Sequence, residues 1–312
     1  MKECINAVED AFRELSTGTA KMRNRVSLPI PIEDGWLGVM PALLADVGSL
    51  TTKIVTVYPH NLRARSIPNV LAVVVLNNVE TGQVDAIMDG TYITAMRTGA
   101  VSGVATKYLA RPDAGRVGLF GAGVQARKQL QAIREVRKVE SVRVYDKDLD
   151  LAKKLQASLD KGVEAYVDKD PNNVVENSDI IATATTSPTP VFDGRLLRPG
   201  THINAIGAFT PTTREVDTAT VSTSKIVVDS IQSALEEAGD ILIPMKEGAI
   251  RNSDIWAELG EIVTGKKDGR TSEKERTLFK SVGLGIQDAA LARLVFQKAR
   301  ASGIGAEVDL DA

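Results

Sequence analysis

Apolar residues recur at near-helical spacing from the start of the chain. Ile5, Val8, Phe12 and Leu15 predict a helix over residues 2–18, with Gly18 as its stop. The period then changes. Val26 to Ile32 alternates, the turn residues Glu33-Asp34-Gly35 interrupt it, and Gly35 to Met40 resumes it. Leu50 to Val57, Asn69 to Leu76 and Gln83 to Met88 read as further strands. The first third is therefore expected to be a twisted antiparallel sheet with helices. Thr91 to Ala110 follows as a helix rich in small residues, and Arg111-Pro112-Asp113-Ala114-Gly115 breaks the pattern.

Beyond the break, strands are expected at 117–120, 141–145, 179–184, 202–206 and 226–229, and helices at 124–137, 149–160 and 231–238. Strand alternating with helix is the signature of a parallel sheet, so the expected fold class is α/β, with a second, α+β portion. A glycine-bearing turn, Ser281 to Gly285, precedes a last long helix expected to return to the first portion.

One stretch carries chemistry of its own. Arg116-Val117-Gly118-Leu119-Phe120 runs into Gly121-Ala122-Gly123-Val124-Gln125-Ala126, a Gly-x-Gly-x-x-Ala turn between a strand and a helix. Gly121 would make the tight turn, Gly123 would admit a pyrophosphate to the backbone, and Ala126 would let the helix pack on the strand with its N–H groups facing the anion. The next strand ends at Asp146, 25 residues after Gly121, where an acid would hold a ribose 2′-hydroxyl. Residues 121–126 and Asp146 are thus expected to bind a dinucleotide in a Rossmann-type domain. In a doubly wound sheet ligands lie beyond the carboxyl ends of the strands, so Thr183, Thr185 and Ile206 are expected to border its nicotinamide half. An ordinary βαβ unit with a glycine turn is the bland alternative, as is a purely β-forming role for either threonine.

Composition narrows the remainder. A length of 312 residues suggests two domains, and 43% hydrophobic with 25% charged residues is ordinary for a globular protein. A net charge of −2 without a basic run gives no sign of nucleic acid or an anionic membrane as partner. Cys4 stands alone, which rules out an internal disulfide and suits a reducing compartment, and only His60 and His202 are available to a multi-histidine metal site. No apolar run is long enough to span a membrane, and the N-terminus lacks a basic flank and apolar core, so the expected location is the cytoplasm.

Several motifs, in order along nearly the whole chain, resemble the ornithine cyclodeaminase/mu-crystallin family. They are Leu37-Gly38-Val39-Met40-Pro41-Ala42, Leu50-Thr51-Thr52-Lys53, Met88-Asp89-Gly90, Thr94 to Ala100, the glycine turn, His202 to Gly207, Val228-Asp229-Ser230, Glu258 to Glu261 and Phe279 to Gly283. The resemblance implies a homodimer. Each subunit would pair a Rossmann-type NAD(P)-binding domain (114–277) with a discontinuous substrate-binding and dimerisation domain (1–113 and 278–312). Family activities include ornithine cyclodeamination, dehydrogenation of alanine and other amino acids, and reduction of cyclic ketimines.

The resemblance also places Arg25, Lys53 and Arg97 as cations for a substrate carboxylate. Lys53 lies within an apolar strand, where a bare ammonium is costly unless paired, and a desolvated lysine beside arginines is also a candidate proton donor. Thr98 and Ser281 are expected on the nicotinamide side. Ornithine cyclodeaminases of the family carry a glutamate aligned with Gly38 and an aspartate aligned with Phe209; neither acid is present. The ketimine reductase branch matches Gly38 and holds a serine where Phe209 stands, for which Thr210 is the expected substitute as a catalytic hydroxyl. An apolar Phe209 suits a flat ring such as Δ1-pyrroline-2-carboxylate, and Asp146 followed by Lys147 favours NADH with some tolerance of NADPH. Amino-acid dehydrogenation and ornithine cyclodeamination are the alternatives within the family. A non-catalytic dinucleotide- or ligand-binding protein is the alternative outside it.

Overall fold

The computed structural model describes residues 1–160 and 162–309, so residues 310–312, assigned above to the first domain, lie outside it. Its first sheet contains β1 (Lys21–Met22), β2 (Val26–Ile30), β3 (Gly35–Leu44), β4 (Ser49–Val57), β5 (Val70–Asn77) and β6 (Val84–Asp89). The order is β1-β3-β4-β5-β6, with β2 also on β3, and the pairings are antiparallel. The second sheet contains β7 (Arg116–Phe120), β8 (Ser141–Tyr145), β9 (Glu164–Val167), β10 (Ile180–Thr183), β11 (His202–Ala205), β12 (Lys225–Val228), β13 (Ile255–Glu258) and β14 (Thr277–Lys280). It is parallel, in the order β13-β12-β14-β11-β10-β7-β8-β9. The α/β class with a second, antiparallel portion is the one expected.

The sequence pattern missed β9, β13 and β14, each only four residues long. β14 corrects the division expected at residue 277/278, which would cut through a strand hydrogen-bonded between β11 and β12. Its reading was obscured by the polar run before it and by Lys280 at its end. That lysine is fully buried and reaches Asp240 at 2.7 Å, so the charge is compensated inside the fold.

The helix Lys2–Thr17 stops where expected, at Gly18 with φ 86°, whose N–H closes onto Glu14 and Leu15 carbonyls. The helix Gly90–Leu109 is opened by the Asp89 carboxylate, which accepts from the Thr91 N–H. It is buried along most of its length, and its glycines explain how. A Cβ on Gly99 would come within 2.8 Å of the Lys128 carbonyl carbon, and one on Gly103 within 2.7 Å of Ile5. Small residues thus let the helix Val124–Val136 and the N-terminal helix close on it. The same buried cluster takes Leu44 and Val74 from the antiparallel sheet and Val227 and Phe279 from the parallel one. The final helix, Gly285–Ala301, returns to the first sheet as expected: Ser49 Oγ donates to the Ala289 carbonyl at 2.8 Å, and Lys298 pairs with Glu3.

Candidate active site

A cavity of about 210 Å³ opens between the two sheets, where the carboxyl ends of β10 and β11 face β3 and β4. Strand alternation sets its first wall. Lys53, Val55 and Val57 of β4 are spaced by two and share a face, and Met40, Gly38 and Trp36 of β3 are their direct partners on that face. Helical spacing sets the second wall, because Arg97 and Thr98 stand about one turn after Thr94 on the helix Gly90–Leu109.

The three expected cations are brought together here. Lys53 is 1% exposed, and its ammonium lies 2.6 Å from Asp288 Oδ2. Burial, then the charge of Arg97, pull its pKa down to about 7 against the opposing pull of Asp288. Arg97 donates to the other oxygen of Asp288 at 3.2 Å and to Gln287 Oε1 at 2.8 Å. Its guanidinium rests on Gly283, where φ is 87° and a Cβ would sit 3.1 Å from Cζ. Arg25 pairs with Glu237 at 3.0 Å, donates to the Val282 and Gly283 carbonyls, and lies over the Trp36 ring at 5.6 Å. Burial lowers its pKa, with Glu237 opposing. Two carboxylates, Asp288 on Lys53 and Arg97 and Glu237 on Arg25, thus face the three cations that line the cavity. One positive charge remains in excess, which leaves the pocket suited to a third, mobile carboxylate.

The nicotinamide-side expectations divide. Thr98, Thr185, Ile206 and Ser281 line the cavity. Thr183 does not: it is fully buried, and its hydroxyl donates to Glu215 Oε2 at 2.8 Å. Glu215, which no sequence motif marked, also accepts from the Thr185 N–H and hydroxyl and from the Gly207 N–H. Four donors on one buried carboxylate tie the ends of β10 and β11 together, and burial with nearby Asp240 raises its pKa. Ser281 Oγ is bound to Asp229 Oδ2 at 2.7 Å, and the same oxygen accepts the Val282 and Gly283 N–H groups, fixing the turn beneath Arg97. Thr210 is likewise kept away from the cavity wall. Its hydroxyl pairs with Thr213 at 2.7 Å, and Phe209 occupies the lining position instead.

The glycine turn fits a dinucleotide. Gly121 has φ 95°, and a Cβ there would be 2.7 Å from the Ala184 carbonyl oxygen. A Cβ on Gly123 would meet nothing within 4 Å, and no side chain caps the helix that begins at Val124. Its first N–H groups therefore face open space suited to a pyrophosphate. Ala122 and Ala126 are buried against the strand layer, whereas Val124 is exposed. Asp146 accepts from the Ala122 N–H at 2.7 Å and the Asp148 N–H at 2.8 Å, which holds the acid at the turn with lone pairs to spare for ribose hydroxyls. Gln125 lines the cavity, and its buried Oε1 finds no hydrogen-bond partner among the described residues.

Asp288 and Trp36 also escaped the sequence reading. An acid inside the apolar run Gly285 to Ala292 was the available signal for Asp288, since such a charge needs a buried partner. Trp36 carried none.

A parallel sheet bearing the glycine turn, beside an antiparallel sheet and a cationic cleft, defines a nicotinamide-dinucleotide type of protein. The chain belongs to the ornithine cyclodeaminase/mu-crystallin family, whose model matches residues 1–303. It is 38% identical over 312 residues to a Delta(1)-pyrroline-2-carboxylate reductase of Bacillus cereus, covering 99% of this chain and 95% of that one. Among solved structures, the Thermococcus litoralis Delta(1)-pyrroline-2-carboxylate reductase in complex with NADH and L-proline matches with a TM-score of 0.97 and 48% identity, over 99% of this chain and 96% of that one. An archaeal alanine dehydrogenase dimer with bound NAD matches with a TM-score of 0.93 and 39% identity, over 99% and 95% of the two chains.

Proposed function

We propose that this protein reduces cyclic ketimine carboxylates, Δ1-pyrroline-2-carboxylate to L-proline and its six-membered homologue Δ1-piperideine-2-carboxylate to L-pipecolate, with NADH as preferred cofactor and NADPH tolerated. The observation that carries this reading is the cluster of Arg25, Lys53 and Arg97 around one small cavity with Phe209 and Trp36 in its wall. The two reductases above, similar over nearly the whole chain, support it.

Arg25 and Arg97 hold the substrate carboxylate, and their own carbonyl, amide and carboxylate partners fix their direction before it arrives. Lys53, protonated and 2.6 Å from Asp288, neutralises charge beside the ring and supplies a proton to the nitrogen. Nicotinamide dinucleotide, when bound to residues 121–126 and Asp146, supplies the hydride that the imine carbon accepts. A protonated imine is already electrophilic, so orientation and charge neutralisation are the main demands, and the residues present meet them. We place the substrate-binding domain, the first of the two, at 1–113 together with the segment after β14, on the ground that Asp288 completes the cation cluster from that side.

Exposed apolar side chains on the outer face of the antiparallel sheet, among them Val26, Leu28, Ile54 and Ile87, support a homodimer through that face. No described helix is long and apolar enough to cross a membrane, and with Cys4 as a lone free thiol we assign the protein to the cytoplasm.

The deciding assay follows NADH oxidation with Δ1-pyrroline-2-carboxylate beside pyruvate plus ammonia, with NADPH in parallel. Fast turnover on the ring without ammonia, faster with NADH, is expected. Turnover only with pyruvate and ammonia would replace this reading by amino-acid dehydrogenation, which the similarity to the archaeal alanine dehydrogenase makes the second candidate.

A further inference from the structure

Trp36, Gly38 and Met40 alternate along β3 and face the cavity side of the sheet. A Cβ built on Gly38 would overlap the six-membered ring of Trp36, with Cζ2 only 2.8 Å away. The indole is therefore folded back along its own strand, across the space that a side chain at 38 would fill. Two further groups hold it there. The Phe209 ring, from the loop after β11, meets it with centroids 5.7 Å apart and planes 59° apart, a tilted aromatic contact. The Arg25 guanidinium lies over its face at 5.6 Å. Trp36 and Phe209 both line the cavity but come from different sheets, so their contact closes it like a seam between the two halves.

We infer that Trp36, laid across Gly38 and braced by Phe209, is the specificity wall of the site. It admits a compact ring bearing one carboxylate and excludes rings with a bulky substituent. This rests on the reading of the cavity as a cyclic imino-acid site. The physical basis is asymmetric. An apolar wall gains little from a ring that is slightly too small, but a substituent must displace two interlocked aromatic rings and disturb Arg25, which holds the carboxylate.

The test is a binding ratio on the NADH-loaded protein, read by calorimetry with L-proline and 4-phenyl-L-proline as probes. Both carry the same ring and carboxylate, so any loosening of Arg25 weakens both and cancels in the ratio. The wild-type protein is expected to bind proline at least about tenfold more tightly, the scale on which a pocket rejects excess apolar bulk. Trp36→Ala should reduce that preference about tenfold or more. Phe209→Ala, which removes the brace from the other sheet, should shift it in the same direction. NADH affinity serves as the folding control. If Trp36→Ala loses it, Phe209→Ala and Trp36→Phe decide the question, with the latter expected to retain the preference. An unchanged ratio in an alanine variant that still binds NADH overturns the wall, and so does equal binding of the two probes by the wild type. Binding of proline without turnover of Δ1-pyrroline-2-carboxylate overturns the proposed reaction while the ratio still judges the wall. Binding of neither probe overturns both.

Discussion

At the scale of single residues, the site depends on a lysine that burial has moved far from its usual behaviour. With its pKa down at about 7, free Lys53 loses its proton across neutrality. As the proposed proton donor it must be charged, so kcat/KM for the ring substrate is expected to fall as pH rises through about 7. A bound carboxylate beside it favours the charged form, so the corresponding limb of kcat should lie at higher pH. Lys53→Met should lower kcat by about 10²–10⁴-fold and abolish that limb in steady-state profiles. A variant that lost only substrate affinity and kept its turnover would remove Lys53 from proton transfer. Lys53 was legible in the sequence, because a lysine inside the apolar strand Leu50 to Val57 demands a partner, whereas Arg25 and Arg97 were placed by the family resemblance. The partner was not, since Asp288 lies 235 residues away and strand patterning says nothing about which helix will cover a strand. Thr210 shows the opposite failure. Its position beside Phe209 suggested a hydroxyl in the pocket, but loop direction sends it to Thr213.

At the scale of elements, the glycine turn and the strands around it were readable from local chemistry. Gly121 and Gly123 separate two roles that one motif contains. Gly121→Ala forces a side chain into φ 95° against the Ala184 carbonyl and is expected to cost about 1–3 kcal/mol in denaturant unfolding. Gly123→Ala meets no protein atom, so its stability should stay within about 0.5 kcal/mol of wild type. Its NADH affinity should nonetheless fall about tenfold by fluorescence titration, because the methyl takes space meant for the anion. Equal destabilisation by both would mean that the space beside Gly123 has no such role. What local chemistry could not reveal is how the loops after β10 and β11 are held. Glu215 does this with four accepted hydrogen bonds, and its neighbours in sequence, Arg214 and Val216, give no hint of it. The strands β9, β13 and β14, no shorter than β10, β11 and β12, were lost because Glu164, Glu258 and Lys280 cut their apolar runs to three residues or fewer.

At the scale of the whole molecule, the antiparallel sheet is one-sided. Its inner face carries Lys53 and Val55 into the cavity, while Ile54 between them is 40% exposed and Ile87 is 62% exposed on the other side. An apolar face of this kind is expected to be covered by a second copy. Ile54→Lys combined with Ile87→Lys should therefore yield a monomer by sedimentation, with NADH binding retained because the glycine turn lies on the other sheet. A doubly substituted protein that still sedimented as a dimer would place the interface elsewhere. The two-sheet plan was visible in the sequence as a change of period near residue 115, and the return of the last helix was expected too, whereas its contacts, Ser49 with Ala289 and Lys53 with Asp288, belong to the folded chain alone.

That return has a temporal side. The turn proposed to cradle the dinucleotide is complete once residues 116 to 146 are available, all near neighbours in the chain. The anchor shared by Lys53 and Arg97 arrives only with Asp288. As the polypeptide leaves the ribosome, the turn proposed for the pyrophosphate and ribose is therefore complete well before the nicotinamide side, which needs Ser281, and the cation cluster, which needs Asp288. The ion pairs that hold Lys53 and Arg97 therefore form only when the final helix docks.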